Sequence, residues 1–106
     1  MTTSPTQRSL AHLRSQGYLV TIVERWNPHA RIRQDLYGFI DLLALRGDET
    51  LAVQVTTADH VAHRLAKIAE AEHIGAVREA GWRIEVHGWR YDRKTRRWIC
   101  RVVDVS

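Results

Sequence analysis

The chain has 106 residues, of which 44% are hydrophobic and 26% are charged, a composition typical of one globular domain over residues 1–106. The single cysteine excludes an internal disulfide framework and an all-cysteine zinc site. No apolar run reaches the ~18–20 residues that a membrane span needs, and no apolar signal-peptide segment lies near the N-terminus. We therefore expect a cytoplasmic protein with no membrane partner, and the net charge of +4 favours an anionic one.

The spacing of apolar residues changes along the chain and indicates where helices and strands lie. In chain order we predict a loose end at residues 1–3, a helix at 4–16, a strand at 18–26, a polar loop at 27–37, strands at 39–45 and 51–56, a helical region at 58–80, and strands at 82–89 and 98–103. The strands on either side of Gly47 are predicted to form a hairpin, and the helical region is predicted to bend near Ile74-Gly75 or to consist of two consecutive helices. This order predicts an α/β fold with a mixed central sheet flanked by helices.

Asp41 is notable because it lies in the otherwise apolar run at residues 39–45. An unpaired carboxylate in a buried strand costs several kcal/mol, so a metal ion, a hydrogen-bond network or an exposed strand end must compensate it. Gln54 lies opposite or nearly opposite Asp41 if the hairpin pairs about its turn. Two oxygen ligands on neighbouring strands and a backbone carbonyl suit Mg²⁺. A hydrogen-bonded polar pair inside the sheet is the alternative.

The segment Gly38-Phe-Ile-Asp41, a turn, Val53-Gln-Val-Thr56 and an amphipathic helix resembles the PD-(D/E)xK nuclease superfamily. The small Holliday-junction-resolvase-like and Mrr-like branches are the most similar, and the resemblance covers residues 5–90. It implies a restriction-endonuclease-like core that hydrolyses phosphodiesters in DNA, including branched DNA or that of phages and mobile elements, with Mg²⁺ or Mn²⁺. It also implies that Asp41 and Gln54 bind the metal ion together with the backbone carbonyl of Val55.

Two residues of this motif differ from the usual pattern of the family. Gln54 stands where most members have Asp or Glu, although some branches carry Gln there. Thr56 stands where most members have Lys, which lowers the pKa of the nucleophile and stabilises negative charge in the transition state. Because a hydroxyl cannot replace that cation, an active site needs one from elsewhere in the chain.

The helix after Thr56 offers candidate cations. His60, Arg64 and Lys67 have i, i+4 and i+7 spacing and therefore share one face beside the apolar stripe. We expect Arg64 and Lys67 to bind phosphate or to stabilise the transition state, with Arg64 favoured because its fork suits bidentate contacts. A solvated helix face is the alternative.

Two further acidic residues precede Asp41 in the sequence. Asp35 lies in the polar loop and is predicted to add the charge that Gln54 lacks, or to bind a second metal ion. A pairing of Asp35 with Arg31 or Arg33 is equally compatible with the sequence. Glu24, in the first predicted strand, is a weaker candidate.

The C-terminal third of the chain is the most basic, and aromatic residues are interleaved with its charges. Basic side chains bind phosphates and aromatic rings stack on unpaired bases, although charged residues also protect strand edges from pairing. The residues that we expect to bind nucleic acid are Arg33, Arg64, Lys67, Arg93, Lys94, Arg96 and Arg97.

The sequence therefore predicts a small metal-dependent DNA endonuclease. Its predicted catalytic residues are Asp41, Gln54, Asp35, Arg64 and Lys67. We also expect a homodimer, because a chain of this size offers little surface for holding a duplex. Two other functions are compatible with the sequence: a nuclease-fold binding module that has lost its chemistry at Thr56, and a protein-interaction domain.

Overall fold

The fold places helices against both faces of a sheet of five strands. The computed structural model describes residues 3–106, so the expectation for Met1 and Thr2 lies outside the described residues. The elements are α1 (Pro5–Ser15), β1 (Leu19–Ile22), β2 (Arg25–Asn27), β3 (Ile32–Gln34), β4 (Leu42–Arg46), β5 (Glu49–Thr57), a 3₁₀ turn (Ala58–His60), α2 (Val61–Ala69), α3 (Ile74–Glu79), β6 (Arg83–Asp92) and β7 (Arg97–Asp104). Within residues 3–106, no helix is both long and apolar enough to cross a membrane.

The strands of the main sheet follow the order β1-β4-β5-β6-β7, and β2 and β3 form a separate hairpin. Strands β5 and β6 are parallel, whereas the other neighbours are antiparallel. The parallel pair needs a long crossover, which α2 and α3 provide. The predicted α/β class with a mixed sheet is confirmed, as is the hairpin that turns at Gly47.

The region between residues 18 and 37 differs from the prediction. The strand expected at 18–26 is divided into β1 and β2, and the expected loop contains β3. The Oδ1 atom of Asn27 accepts hydrogen bonds from the backbone N–H groups of His29 and Ala30, at 3.0 and 3.2 Å, and so closes a tight turn. Three paired residues on each side are too few to show an alternating pattern in the sequence. The helix break also comes earlier than expected, between Ala69 and Ile74.

Helix α1 and the pair α2–α3 cover opposite faces of the sheet. Alternate residues of β5 point to opposite faces, so Val53 and Val55 belong to the core cluster that contains Leu10 and Leu13 of α1. Ala52 belongs to the second cluster, on the α2–α3 face. By the same alternation, Gln54 and Thr56 point to the α2–α3 face.

A chain of buried hydrogen bonds attaches α1 to β6. The indole Nε1–H of Trp89 donates to the Oγ atom of Ser9 at 2.8 Å, and the same Oγ lies 3.0 Å from Nδ1 of His87. The other ring nitrogen of His87, Nε2, lies 3.1 Å from Oε1 of Glu85. A carboxylate only accepts and an indole N–H only donates, so Nε2 of His87 donates to Glu85, and Nδ1 is then free to accept from the hydroxyl of Ser9, which itself accepts from Trp89. The polar side-chain groups of Ser9, His87 and Trp89 therefore all have hydrogen-bond partners.

Gly88 allows α2 to lie close to β6. A Cβ atom at this position would collide with the side chain of Val61 and would lie 3.2 Å from Cα of Ala58. The missing side chain therefore determines how closely the first turn of α2 packs on the sheet.

We predict that Gly88→Ala lowers the free energy of unfolding by about 1–3 kcal/mol, because the added methyl group overpacks this contact. Urea denaturation measures the change. Gly75→Ala is the matched control, since a Cβ at this α3 residue meets no atom within 4 Å; it should leave stability unchanged or raise it by about 0.5–1 kcal/mol. Equal stability of Gly88→Ala and the parent protein would show that α2 does not depend on this close approach.

Candidate metal centre

The carboxylate of Asp41 is buried where β4 and β5 separate. Its Oδ2 atom accepts hydrogen bonds from Nε2 of Gln54 at 2.7 Å and from the backbone N–H of Val55 at 2.8 Å. The strand pairing ends at Leu42 and Val53, and the N–H of Asp41 then donates to the carbonyl of Val53 at 2.9 Å, so that Asp41 lies nearly opposite Gln54, as the sequence predicted. Among residues 3–106, the donors that fix the side chain of Asp41 all converge on this one oxygen, Oδ2.

Two further carboxylates join Asp41 through the registers of neighbouring strands. The pairing of Arg25 with Gln34 in the β2–β3 hairpin, continued by one residue, places Glu24 opposite Asp35. One carboxylate oxygen from each of Glu24, Asp35 and Asp41 lies within 4.8 Å of the other two. Both additional acids considered from the sequence therefore lie beside Asp41.

A tight reversal between Asp35 and Asp41 brings these two acids together. Leu36 and Ile40 form an isolated antiparallel bridge, with N···O distances of 2.9 and 3.0 Å. Continuing that bridge by one residue sets Asp35 opposite Asp41. The reversal uses positive φ angles at Tyr37 (54°) and Gly38 (83°), a conformation that glycine adopts without strain and tyrosine rarely adopts.

The carboxylates are crowded enough to change the protonation of Asp41. Burial raises the pKa of Asp41 to about 8, and the nearby carboxyl of Asp35 adds to the rise, while the hydrogen bond from Val55 opposes it. Near neutral pH and without a cation, Asp41 therefore holds a proton. A divalent cation would favour the ionised form instead, since opposite charge lowers a carboxyl pKa.

The chemistry of these donors fits a hard divalent cation such as Mg²⁺ or Mn²⁺. Three carboxylates and an amide oxygen are the oxygen ligands that such ions accept. The Oε1 atom of Gln54 is buried and has no hydrogen-bond partner within residues 3–106. A buried acceptor left without a donor is costly, and a cation would satisfy it.

Val55 was predicted to bind the metal through its carbonyl group, whereas the contact seen here is made by its N–H. The N–H and C=O groups of one strand residue point to the same side of the strand. Since the N–H of Val55 points to Asp41, its carbonyl lies on the Asp41 side of β5 too, as the prediction requires.

Lys67 supplies a cation to this cluster. Its Nζ atom lies 3.3 Å from Oδ2 of Asp35, and the Asp35 side chain is only 14% exposed. Asp35 thus pairs with Lys67, and Arg33 pairs with Glu24 at 2.7 Å. The alternative pairing of Asp35 with Arg31 or Arg33 is not what the structure has.

Arg64 and His60 do not contact the acids within residues 3–106. Arg64 lies one helical turn before Lys67, and its buried Nε has no hydrogen-bond partner among the described residues. The Nδ1 atom of His60 lies 2.9 Å from Oγ1 of Thr57 and 3.7 Å from Asp59. Thr56 is buried and shares the face of β5 that carries Gln54. Of the three basic residues on this helix face, Lys67 is therefore the one placed at the site.

A groove passes over the cluster. One part has a volume of about 380 Å³ and is lined by Arg33, Gln34, Asp35, Gly38 and Lys67. A second part, of about 800 Å³, shares Gly38 and Lys67 with the first and continues towards His73. Asp35 therefore borders an open groove whose lining combines the basic side chains of Arg33 and Lys67 with the acidic side chains of Glu70 and Glu72.

The predicted basic turn lies between β6 and β7. Its four basic residues, Arg93, Lys94, Arg96 and Arg97, are all exposed. Asp92 closes the turn by accepting hydrogen bonds from the N–H of Lys94 and the hydroxyl of Thr95, at 3.1 and 3.0 Å. The binding role of this turn stays a prediction.

Comparison of the chain with protein-family models, with curated proteins and with solved structures gave no match.

We predict that Asp41→Asn becomes increasingly stabilising, relative to the parent protein, as the pH rises from 4 to 8 in EDTA. Burial raises the pKa of Asp41 from its ordinary value to about 8 in the folded protein. At pH values between these two, the folded protein keeps a proton on Asp41 that the unfolded chain has released. The parent therefore loses up to about 1.4 kcal/mol of stability per pH unit in this range, and asparagine does not titrate. Urea denaturation at several pH values measures the difference.

Mn²⁺ should raise the stability of the parent protein but not that of Asp41→Asn. The control is Asp48→Asn, at an exposed residue of the β4–β5 turn. It should follow the parent at every pH and in Mn²⁺. A pH-independent difference between Asp41→Asn and the parent would contradict the assignment of the buried proton.

Proposed function

We propose that this protein is a metal-dependent endodeoxyribonuclease of the PD-(D/E)xK type, with its site at Glu24, Asp35, Asp41 and Gln54. The observation that carries the proposal is the convergence of three carboxylates within 4.8 Å of one another, in a part of the fold where the buried Asp41 has few donors. Such a cluster is repulsive by itself and favourable around a cation.

The residues of the cluster and groove have separable roles in this proposal. When bound, a divalent ion polarises the phosphate and lowers the pKa of the attacking water. Asp41, Asp35 and Glu24 hold the ion, and the Oε1 atom of Gln54 adds a neutral oxygen. Lys67 provides the positive charge that Thr56 lacks, and it stabilises the negative charge that develops on the phosphate.

We further propose that the ion is Mg²⁺ or Mn²⁺, and that the enzyme acts on cytoplasmic DNA as a homodimer. The basic β6–β7 turn, and the side chains of Arg33 and Lys67 beside Asp35, support an anionic polymer as substrate. The small size of the chain supports the dimer, which sedimentation velocity measures directly.

The ion pair of Lys67 with Asp35 also favours a second candidate function. An ammonium group that neutralises the acids reduces their need for a metal ion, so the chain would bind DNA without cleaving it. Cleavage assays decide between the two functions.

We expect the parent protein to nick supercoiled plasmid DNA in Mn²⁺ and not in EDTA, and Asp41→Asn to lose this activity. Lys67→Gln should lower the rate at saturating protein by about 10²-fold, the effect of removing one transition-state donor. Gel assays measure these rates. Arg14→Gln is the charge-matched control, because Arg14 is an exposed residue of α1, on the other face of the sheet; its rate should equal that of the parent. Full cleavage by Asp41→Asn would disprove the site.

We predict that Thr56→Lys restores cleavage to Lys67→Gln, because both positions present a cation to the same acids. The same gel assay, with the two single variants and the double variant side by side, measures the rescue. If the parent protein is inactive and Thr56→Lys alone creates cleavage, the second candidate function is correct. If no variant cleaves although each binds Mn²⁺, the enzyme proposal fails.

A further inference from the structure

The β2–β3 hairpin, residues 25–34, is an arm attached directly to the acid cluster. Glu24 immediately precedes β2, and Asp35 immediately follows β3. The arm also extends beyond the end of the main sheet, since β1 pairs with β4 only as far as Ile22 and Leu42. Whatever the arm binds is therefore held beside the carboxylates.

One face of the arm carries an aromatic ring and a cation in line with the acids. Trp26 pairs directly with Arg33, so the two side chains share a face. Alternation along each strand puts Glu24 and Asp35 on that same face, two residues nearer the sheet. The ion pair between Arg33 and Glu24 agrees with this placement. On this face, the two acids therefore lie at the end of the arm nearest the main sheet, and Trp26 and Arg33 lie farther from the sheet.

Trp26 is exposed to a degree that packing within the chain does not explain. It is 59% exposed, and Ile32 on the opposite face of the arm is 51% exposed. The tip beyond Trp26 adds Arg31 to Arg33. An exposed indole among arginines suits a ligand that has both flat rings and negative charge, which is the combination that nucleic acids offer.

The arm and the basic β6–β7 turn lie at the same end of the sheet. Gln54 and Thr57 at the end of β5 lie level with Val86 and Trp89 of the parallel β6, which then continues to Asp92. Strand β1, from which the arm extends, and strand β6 are separated by β4 and β5, a distance of about 14 Å at the usual strand spacing. Two basic projections therefore flank the acids.

We propose that the β2–β3 arm is a nucleic-acid contact in which Trp26 stacks on an unpaired base and Arg33 binds the adjacent phosphate. The substrate of the site is then DNA with unpaired bases next to the phosphate that is cut, such as a single strand or a flap. The position of the cut rests on the proposed function, whereas the stacking contact does not. A base paired inside a duplex presents only its edges to a side chain, so stacking on Trp26 requires an unpaired one.

The test is fluorescence anisotropy in EDTA, with a labelled 20-nucleotide single strand and a duplex of the same length. Trp26→Ala should weaken binding of the single strand by about 5- to 150-fold, the range measured for loss of one base–aromatic stack, and change duplex binding by less than twofold. Trp26→Phe should stay close to the parent protein because it keeps a stacking ring. The thermal melts of both variants check that the arm stays folded.

Arg33→Gln and Arg25→Gln form a charge-matched pair on opposite faces of the arm. Arg33→Gln should reduce the slope of log affinity against log salt by about 0.7 for the single strand, and Arg25→Gln should leave the slope unchanged. Equal reductions in both variants would show diffuse attraction rather than a contact on the Trp26 face, and would overturn the proposal.

Three other outcomes also overturn it: no binding of the single strand by the parent protein, equal loss of single-strand and duplex binding in Trp26→Ala, and a change of oligomeric state in Trp26→Ala without loss of affinity. Because EDTA prevents cleavage, binding is measured separately from cleavage, and a failure of the stacking proposal can be told apart from a failure of the proposed function. A chain that stacks DNA through Trp26 but never cleaves refutes only the proposed function. A chain that cleaves duplex DNA without dependence on Trp26 refutes only the present inference.

Discussion

The arrangement of the site depends on the buried carboxylate of Asp41. Two donors, the amide of Gln54 and the N–H of Val55, converge on one of its oxygens. Asp35 and Glu24 then crowd the same space and offer only more negative charge. Burial raises the free energy of such a group unless a proton or a cation neutralises it. The high pKa of Asp41, the position of Lys67 and the suitability of the site for a metal ion all follow from this one constraint.

Each face of the sheet holds buried polar groups, and they differ in how many of their atoms have a hydrogen-bond partner. Beneath α1, each of Ser9, His87 and Trp89 has the hydrogen-bond partner that its chemistry requires. On the α2 face, the Oε1 atom of Gln54 and the Nε atom of Arg64 have none among residues 3–106. A satisfied network stabilises one packing arrangement, whereas unsatisfied groups retain the capacity to bind something else. On the α1 face, the Nε atom of Arg8 is likewise buried without a hydrogen-bond partner among residues 3–106, and its guanidinium lies over the ring of Trp98. Function is therefore assigned to the α2 face because the acid cluster lies beside it.

The sequence predicted the pair of Asp41 and Gln54 better than it predicted the residues that surround this pair. The pairing of Asp41 with Gln54 was predictable because a short turn at Gly47 sets the register between two apolar strands. The approach of Asp35 to Asp41 depends on a positive φ at Tyr37, which no local pattern indicates. The β2–β3 arm was missed because its strands are too short to alternate visibly. Helical spacing placed Lys67 on the correct face of α2, but the sequence favoured Arg64, whereas Lys67 is the residue that pairs with Asp35. That choice depends on where the loop of Asp35 lies.

The satisfied network beneath α1 has a consequence for the order in which the chain assembles. Its hydrogen bonds join residues that are 78 and 80 positions apart, whereas Asp41 and Gln54 are 13 apart. Closing the longer loop costs about 1–2 kcal/mol more chain entropy. The acid-bearing hairpins can therefore form while the ribosome is still making β6. Helix α1 precedes these hairpins in the chain but packs fully only when β6 brings His87 and Trp89 to it, so it docks later than hairpins that are made after it.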